Sequence, residues 1–391
     1  MALLISIVIF GLCIAKKKSN FVFILTGVWI WILIAFSSGL ADEAVYIGRY
    51  ENYRMFEGLT EPGYAFLMKA FNTYSVPYQT YKMIITAVEL VLIMSTIAKL
   101  TNYKNFVLAM WMIFPLCMDA VQMRFTLGLS VTIFGLRYLS QDYVDKYKNE
   151  KLTADLRFII CVVAALFHFI NILYLTLLIA RRTKRRRRNI IIATLIIILI
   201  FTFALNTNVL TNIGYAVGVE KKIATALSNT NRLGSNAIRN YSIDIIIRFS
   251  LFIIVCFISR YGLKRRNNSA VSTDFIINEN IIMLSLMALL QYSVEFYRIQ
   301  VGLSILNYIY ISNYLIDLKD AKATIISKGN LIIVLITSLM AIVNLYFLVL
   351  NSSNIETVFI PFFFGSMLAG GVNKKQSNRE KSKSNEVVAL C

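Results

Sequence analysis

The chain has 391 residues, 58% of them hydrophobic, and carries 40 Lys and Arg against 21 Asp and Glu for a net charge of +19. A mean hydropathy of +0.65 is too apolar for a soluble globular protein. The basic excess abuts apolar runs, where cytoplasmic anchoring charge belongs, so a membrane protein is expected and a nucleic-acid partner is not.

Apolar runs recur from end to end: Leu3–Ala15, Phe21–Leu40, Met83–Ala98, Phe106–Met118, Phe125–Leu139 and Phe158–Ala180, then Ile190–Ala204, Ile243–Ser259, Phe275–Leu290, Val301–Leu315, Leu331–Leu350 and Val358–Ala369. Most approach the length that crosses a ~30 Å hydrocarbon core. The expected fold is all-α and polytopic, with about 11–12 transmembrane or re-entrant helices. It forms one membrane domain over 1–372, followed by a polar, charged cytoplasmic tail over 373–391 that reads as disordered. Leu3–Ala15 lacks the basic lead and small-residue cleavage site of a signal peptide.

Basic clusters at Lys16–Lys18, Arg181–Arg188, Lys264–Arg266 and Lys374–Lys383 set the cytoplasmic side, with lipid headgroups as a secondary partner. The loops 42–81 and 206–241 then face outside. Phe158–Ala180 has basic residues on both flanks, so a single crossing breaks the charge rule. A pair of half-helices folding at Phe167-His168-Phe169-Ile170-Asn171 obeys it. Broken backbone at membrane depth is tolerated where it is buried in protein or lines a cavity, which marks this segment as a place to look for a site.

Four polar groups converge on the outer face in this topology. The first loop carries Asp42, Glu43, Tyr46, Arg49, Tyr50 and Tyr53, then Glu61-Pro62-Gly63-Tyr64, with Asp42, Tyr46 and Arg49 or Tyr50 on one helical face. Rings that stack on pyranose faces, beside carboxylates that accept hydroxyl hydrogen bonds, suit a glycan groove. An interfacial helix with a tyrosine belt is the plainer alternative. The second group is Asp119, Gln122 and Arg124, where a guanidinium placed between apolar runs offers a planar fork for phosphate or carboxylate oxygens. A structural Asp119–Arg124 pair or a snorkelling arginine is the alternative.

The third group is His168, the only histidine, read either as a hydrogen-bonded core residue or as a group touching substrate. The fourth is Tyr292, Glu295, Tyr297 and Arg298, where Glu295 and Arg298 at i, i+3 could pair with each other. Two arginines at one membrane face make a natural diphosphate clamp. Arg232, Arg239 and Lys221-Lys222 could add to it. The five cysteines (Cys13, Cys117, Cys161, Cys256 and Cys391) form no CxxC or CxxH, and no nucleotide-binding or zinc-protease motif occurs. No metal and no cofactor are expected.

In chain order these pieces are the tyrosine-rich loop ending in Glu61-Pro62-Gly63, Phe114-Pro115 followed by Asp119-x-x-Gln122-x-Arg124, Leu166-Phe167-His168 and Tyr297-Arg298-Ile299. The set resembles the EpsG-like family of Wzy-type polysaccharide polymerases from Asp42 to about Ile360-Pro361. The resemblance implies a GT-C-like glycosyltransferase of the bacterial plasma membrane. Such an enzyme joins undecaprenyl-diphosphate-linked oligosaccharide repeat units at the outer face without metal, alongside a chain-length regulator and a flippase. It implies catalytic roles for Asp42, Glu61 and His168, and diphosphate contacts for Arg124, Arg298 and Gln122. Glycan contacts fall to Glu43, Tyr46, Tyr50, Tyr64 and Tyr297. Asp42-Glu43-Ala44 departs from the family pattern, which often has an aromatic after the acid, so either Asp42 or Glu43 fills that position.

Two rivals come from other classes. A lipid-linked oligosaccharide flippase, or another secondary transporter, would place polar residues at mid-membrane depth and show related halves. The polar set here reads as lying at one face. A membrane O-acyltransferase would want a better-supported catalytic histidine.

Overall fold

A computed structural model describes residues 1–56, 61–139, 151–163, 166–183, 250–261, 272–286, 297–315, 323–350 and 354–365. Among the described residues every regular element is helical, as the sequence predicts. The elements are α1 (Ala2–Ala15), α2 (Asn20–Phe36), α3 (Glu43–Glu51), α4 (Tyr53–Phe56), α5 (Pro62–Thr73), α6 (Tyr78–Leu100), α7 (Lys104–Ile113), α8 (Leu116–Val121) and α9 (Met123–Leu139). They continue with α10 (Lys151–Val163), a 3-10 helix (Phe169–Leu175), α11 (Thr176–Arg182), α12 (Ser250–Tyr261), α13 (Thr273–Leu286), α14 (Tyr297–Gly302), α15 (Ser304–Ser312) and α16 (Ala323–Leu345).

Two helices, Tyr78–Leu100 and Leu331–Leu350, are long and apolar enough to cross a bilayer unbroken, and Ala2–Ala15, Asn20–Phe36, Lys104–Ile113 and Ile355–Gly365 are shorter apolar helices. The run Phe106–Met118 divides into α7 and α8 because Pro115 offers no N–H to the helix and forces Phe114 into extended backbone, at φ −159° and ψ 132°. Exposed apolar side chains line one side of α1 (Leu4, Val8), α2 (Phe21, Ile24, Val28) and the long Leu331–Leu350 helix (Leu331, Leu335, Leu339). Rows of this kind stay exposed where lipid is the solvent, so this is a membrane protein. The 206–241 loop and the tail beyond 372 lie outside the described residues.

One end of the bundle gathers the basic junctions. Asn105 donates to the Lys16 and Ser19 carbonyls, Thr101 and Ser312 hydroxyls bond at 2.7 Å, and Arg137 reaches Ser95 at 2.7 Å. Asp155, near the start of α10, pairs with both Arg181 and Arg182 at the end of α11. The two ends of the 151–182 segment therefore meet, and the chain doubles back between them. The far end of this hairpin carries Leu166 and touches α5. A Cβ on Gly63 would come within 2.9 Å of the Leu166 carbonyl oxygen, so only glycine lets the two backbones approach this closely.

Helices α3 and α5 cap the bundle through a small core of their own, made of Tyr46, Tyr50, Tyr64, Met68, Tyr81, Ile85, Met123 and Leu127. Tyr50 stacks on Tyr81 with centroids 4.8 Å apart and its hydroxyl donates to the Val76 carbonyl at 2.6 Å. Tyr46, Tyr50 and Tyr64 of the first loop are thus packed inward against α6 and α9.

Candidate functional site

Arg124 stands at the start of α9, directly beneath this cap. Its Nη1 donates to Glu61 Oε2 at 2.7 Å, with the two side chains only 19% and 8% exposed. Glu61 is the N-cap of α5 and Pro62 fills the first helical position, where its missing N–H costs nothing. The guanidinium carbon lies 5.7 Å from the Tyr46 ring centre and 5.9 Å from that of Tyr64, within range for cation–π attraction. The arginine is held by a carboxylate and two aromatic rings, and the suggested Asp119–Arg124 pair does not form. Asp119 instead accepts from Trp111 Nε1 at 2.8 Å.

Tyr46 links the remaining groups. Burial pushes its phenol well away from the charged form, and Arg124, Asp42 and Arg298 all lie within electrostatic reach of it. Asp42 caps α3, is half-buried, and makes no side-chain cap bond. Arg298 enters from α14, which the hairpin supports: the Tyr174 hydroxyl donates to the Ile299 carbonyl at 3.1 Å. His168 is buried and meets Phe125, the neighbour of Arg124, edge-on at 5.7 Å. Gln122 is buried at the junction of α8 and α9.

The sequence-derived set thus divides in two. Tyr46, Glu61 and Tyr64 gather around the buried Arg124 guanidinium, Asp42 and Arg298 lie within electrostatic reach of Tyr46, and His168 and Gln122 stand near the start of α9. Tyr50 points into the tyrosine core, and Glu43 is bound to Lys82 at 2.8 Å and to the Gly39 N–H at 2.5 Å. Tyr297 opens α14. Tyr292, Glu295, Lys221, Lys222, Arg232 and Arg239 lie outside the described residues.

Sequence reasoning missed a polar stripe on α6. Tyr78, Lys82, Thr86 and Glu89 recur at helical spacing and line a narrow crevice beneath α3, shared with Glu43, Tyr46 and Asp119. Glu89 sits near the middle of a spanning helix and is 3% exposed. An acid within an otherwise apolar run was signal enough to flag it. The expectation that all polar groups lie at one face is corrected by Glu89, and also by the buried Glu279, Asn280 and Asn307, where Asn280 donates to Asn307 at 2.8 Å.

A family model described as the EpsG family matches residues 20–368. The chain belongs to the EpsG family. This is a family of Wzy-like polysaccharide polymerases, so at the general level the EpsG chain is a glycosyltransferase-like membrane protein of polysaccharide biosynthesis. No curated protein and no solved structure matches it. The match takes in the whole Arg124 cluster.

Proposed function

We propose that this EpsG chain polymerises polyprenyl-diphosphate-linked oligosaccharide repeat units at the outer face of the bacterial plasma membrane, on a multi-pass GT-C-like scaffold. The observation that carries the reading is Arg124, a largely buried guanidinium held by Glu61 and set between Tyr46 and Tyr64. A planar fork in a partly dehydrated site suits a diphosphate better than a hydrated ammonium would. Arg298, from a different helix, lies within electrostatic reach of the same tyrosine and gives the leaving diphosphate a second positive charge. Charge aimed at a departing group is where transfer catalysis gains most.

Glu61 serves as the resting counter-ion of Arg124, exchanged for diphosphate when donor binds. Asp42, within electrostatic reach of Tyr46, accepts hydrogen bonds from the acceptor glycan and positions its hydroxyl. His168 and Gln122 shape the wall near Phe125. The hairpin closed by Asp155 and the arginines fits a re-entrant element whose ends share the cytoplasmic side, as the charge rule requires.

A second reading, a lipid-linked oligosaccharide flippase, is favoured by the mid-helix acid Glu89, since transporters place polar groups at that depth. The lipid-linked glycans of a deletion strain separate the two. Single finished units exposed on the outer leaflet support the polymerase, and units trapped on the inner leaflet support the flippase.

A further inference from the structure

The outer cluster leaves one acid without a task. Glu89 lies seven residues below Lys82, ~10 Å down the axis of α6, and its buried Oε1 makes no hydrogen bond among the described residues. Leaving a carboxylate oxygen desolvated and unpartnered is costly, and ionisable groups within spanning helices are seldom kept without function. Glu89 lines the crevice that runs up to Tyr46.

The titratable groups around it come from three elements. Tyr78, Tyr81 and Lys82 share its helix, Glu43 and Tyr46 come from α3, and Asp119 from α8. Helices α2 and α9 contribute Ile34 and Met123, which carry no charge. Lys82 is already engaged, at 2.8 Å from Glu43 and 2.6 Å from the Ser37 carbonyl. Asp119 has one oxygen on Trp111. The crevice leaves room for one water. Glu89 Oε1, Asp119 and the Thr86 hydroxyl are polar groups able to hold it.

We propose that Glu89 is the proton acceptor of the transfer, reached from the outer site through a water held in this crevice. The proposal rests on the transferase reading of the Arg124 cluster. As the acceptor oxygen bonds to the anomeric carbon, the anomeric C–O bond to the diphosphate breaks. Its electron pair stays on the diphosphate, facing Arg124. The acceptor's proton passes to the crevice water, which hands one of its own to Glu89 Oε1, and it returns to bulk water once the product has left. Glu43 is poorly placed for this role because it carries Lys82 at 2.8 Å, which disfavours taking a proton. Asp42 is half-buried at the start of α3, which fits it to position a hydroxyl.

The test uses the full-length protein in proteoliposomes containing lipid-linked repeat units, with farnesyl diphosphate as a binding probe for the outer site. Glu89→Gln keeps shape and hydrogen bonding but cannot take a proton. It should bind farnesyl diphosphate as wild type does and polymerise ~10²-fold or more slowly, and the acid limb of the rate–pH profile should vanish. Glu89→Asp should retain part of the rate with a displaced limb. Wild-type turnover and an unmoved pH profile in Glu89→Gln overturn the proposal, as do equal losses in Gln and Asp with binding intact, because shape would then be the requirement. If Glu89→Gln does not accumulate, an unmoved limb in Glu89→Asp overturns it. A wild-type protein that fails to bind farnesyl diphosphate refutes the outer-site reading and this proposal with it. An inactive Arg124→Ala beside a fully active Glu89→Gln refutes this proposal alone.

Discussion

Glu61 and Arg124 form the interaction whose removal is most informative, because the proposed site must break this pair in order to work. Their oxygen and nitrogen are 2.7 Å apart and the side chains are 8% and 19% exposed. Exposed pairs contribute ~0.2–1 kcal/mol, whereas breaking a buried one costs ~3–5 kcal/mol. At this burial the competition from Glu61 comes to roughly 2 kcal/mol, about 30-fold in affinity. Glu61→Gln should therefore tighten farnesyl diphosphate binding by ~10–30-fold, because the guanidinium no longer has to give up a carboxylate. Arg124→Ala should weaken binding by ~10–150-fold, the value of a hydrogen bond to a charged group. Arg124→Lys should resemble Ala, because the ammonium loses both the fork and the place between the Tyr46 and Tyr64 rings. Titration calorimetry on purified protein gives the affinities. Glycan ladders from complemented cells give the consequence: long polymer lost in both arginine variants, with single units left on the lipid carrier. Weaker diphosphate binding in Glu61→Gln would show that the pair is architectural. A normal ladder from Arg124→Ala at wild-type protein levels would end the clamp model.

Three further outcomes are expected. Cysteine placed at Asn52 should react with an impermeant thiol reagent in intact cells and one at Thr183 should not; the reverse pattern would invert the proposed orientation and move the site to the cytoplasm. Gly63→Ala, whose Cβ would fall 2.9 Å from the Leu166 carbonyl oxygen, should destabilise the docking of the hairpin on α5 by ~1–3 kcal/mol, read as new protease sensitivity near Leu166. Asp42→Asn should raise the acceptor KM while leaving farnesyl diphosphate binding intact; an unchanged KM would remove Asp42 from the acceptor contacts.

Much of the candidate site was legible in the sequence because intramembrane charge is rare enough to be read one residue at a time. Arg124 stood out between apolar runs, and Arg298 and His168 were found the same way. Their convergence was not legible. Nothing local shows that Glu61, 63 positions before Arg124, is its partner, or that Trp111 takes Asp119. Such pairings depend on how helices pack in three dimensions, and pattern spacing reports only the face of one helix. The tyrosines misled for a related reason. An aromatic row at helical spacing looks the same whether it stacks on sugar or on its own kind, and Tyr50 on Tyr81 shows the second.

Glu89 was overlooked because Met83–Ala98 was averaged as an apolar run, and an average hides one charge. Its position also reconciles two observations that seemed to favour different functions. Polar groups at mid-membrane depth fit a transporter, whereas a cation cluster beneath an outer cap fits a transferase. The crevice that Glu89 lines also reaches Tyr46, whose ring adjoins Arg124, so a single activity can draw on both. Moving glycan across the bilayer would need room for sugars along the α6 stripe, whereas moving a proton needs room for a water. The crevice that Glu89 shares with Lys82, Thr86 and Asp119 has room for a water. The family match points the same way. On the proposed reading, a bond-forming site at one face with a proton acceptor deeper on α6 gives Arg124 and Glu89 parts in the same reaction.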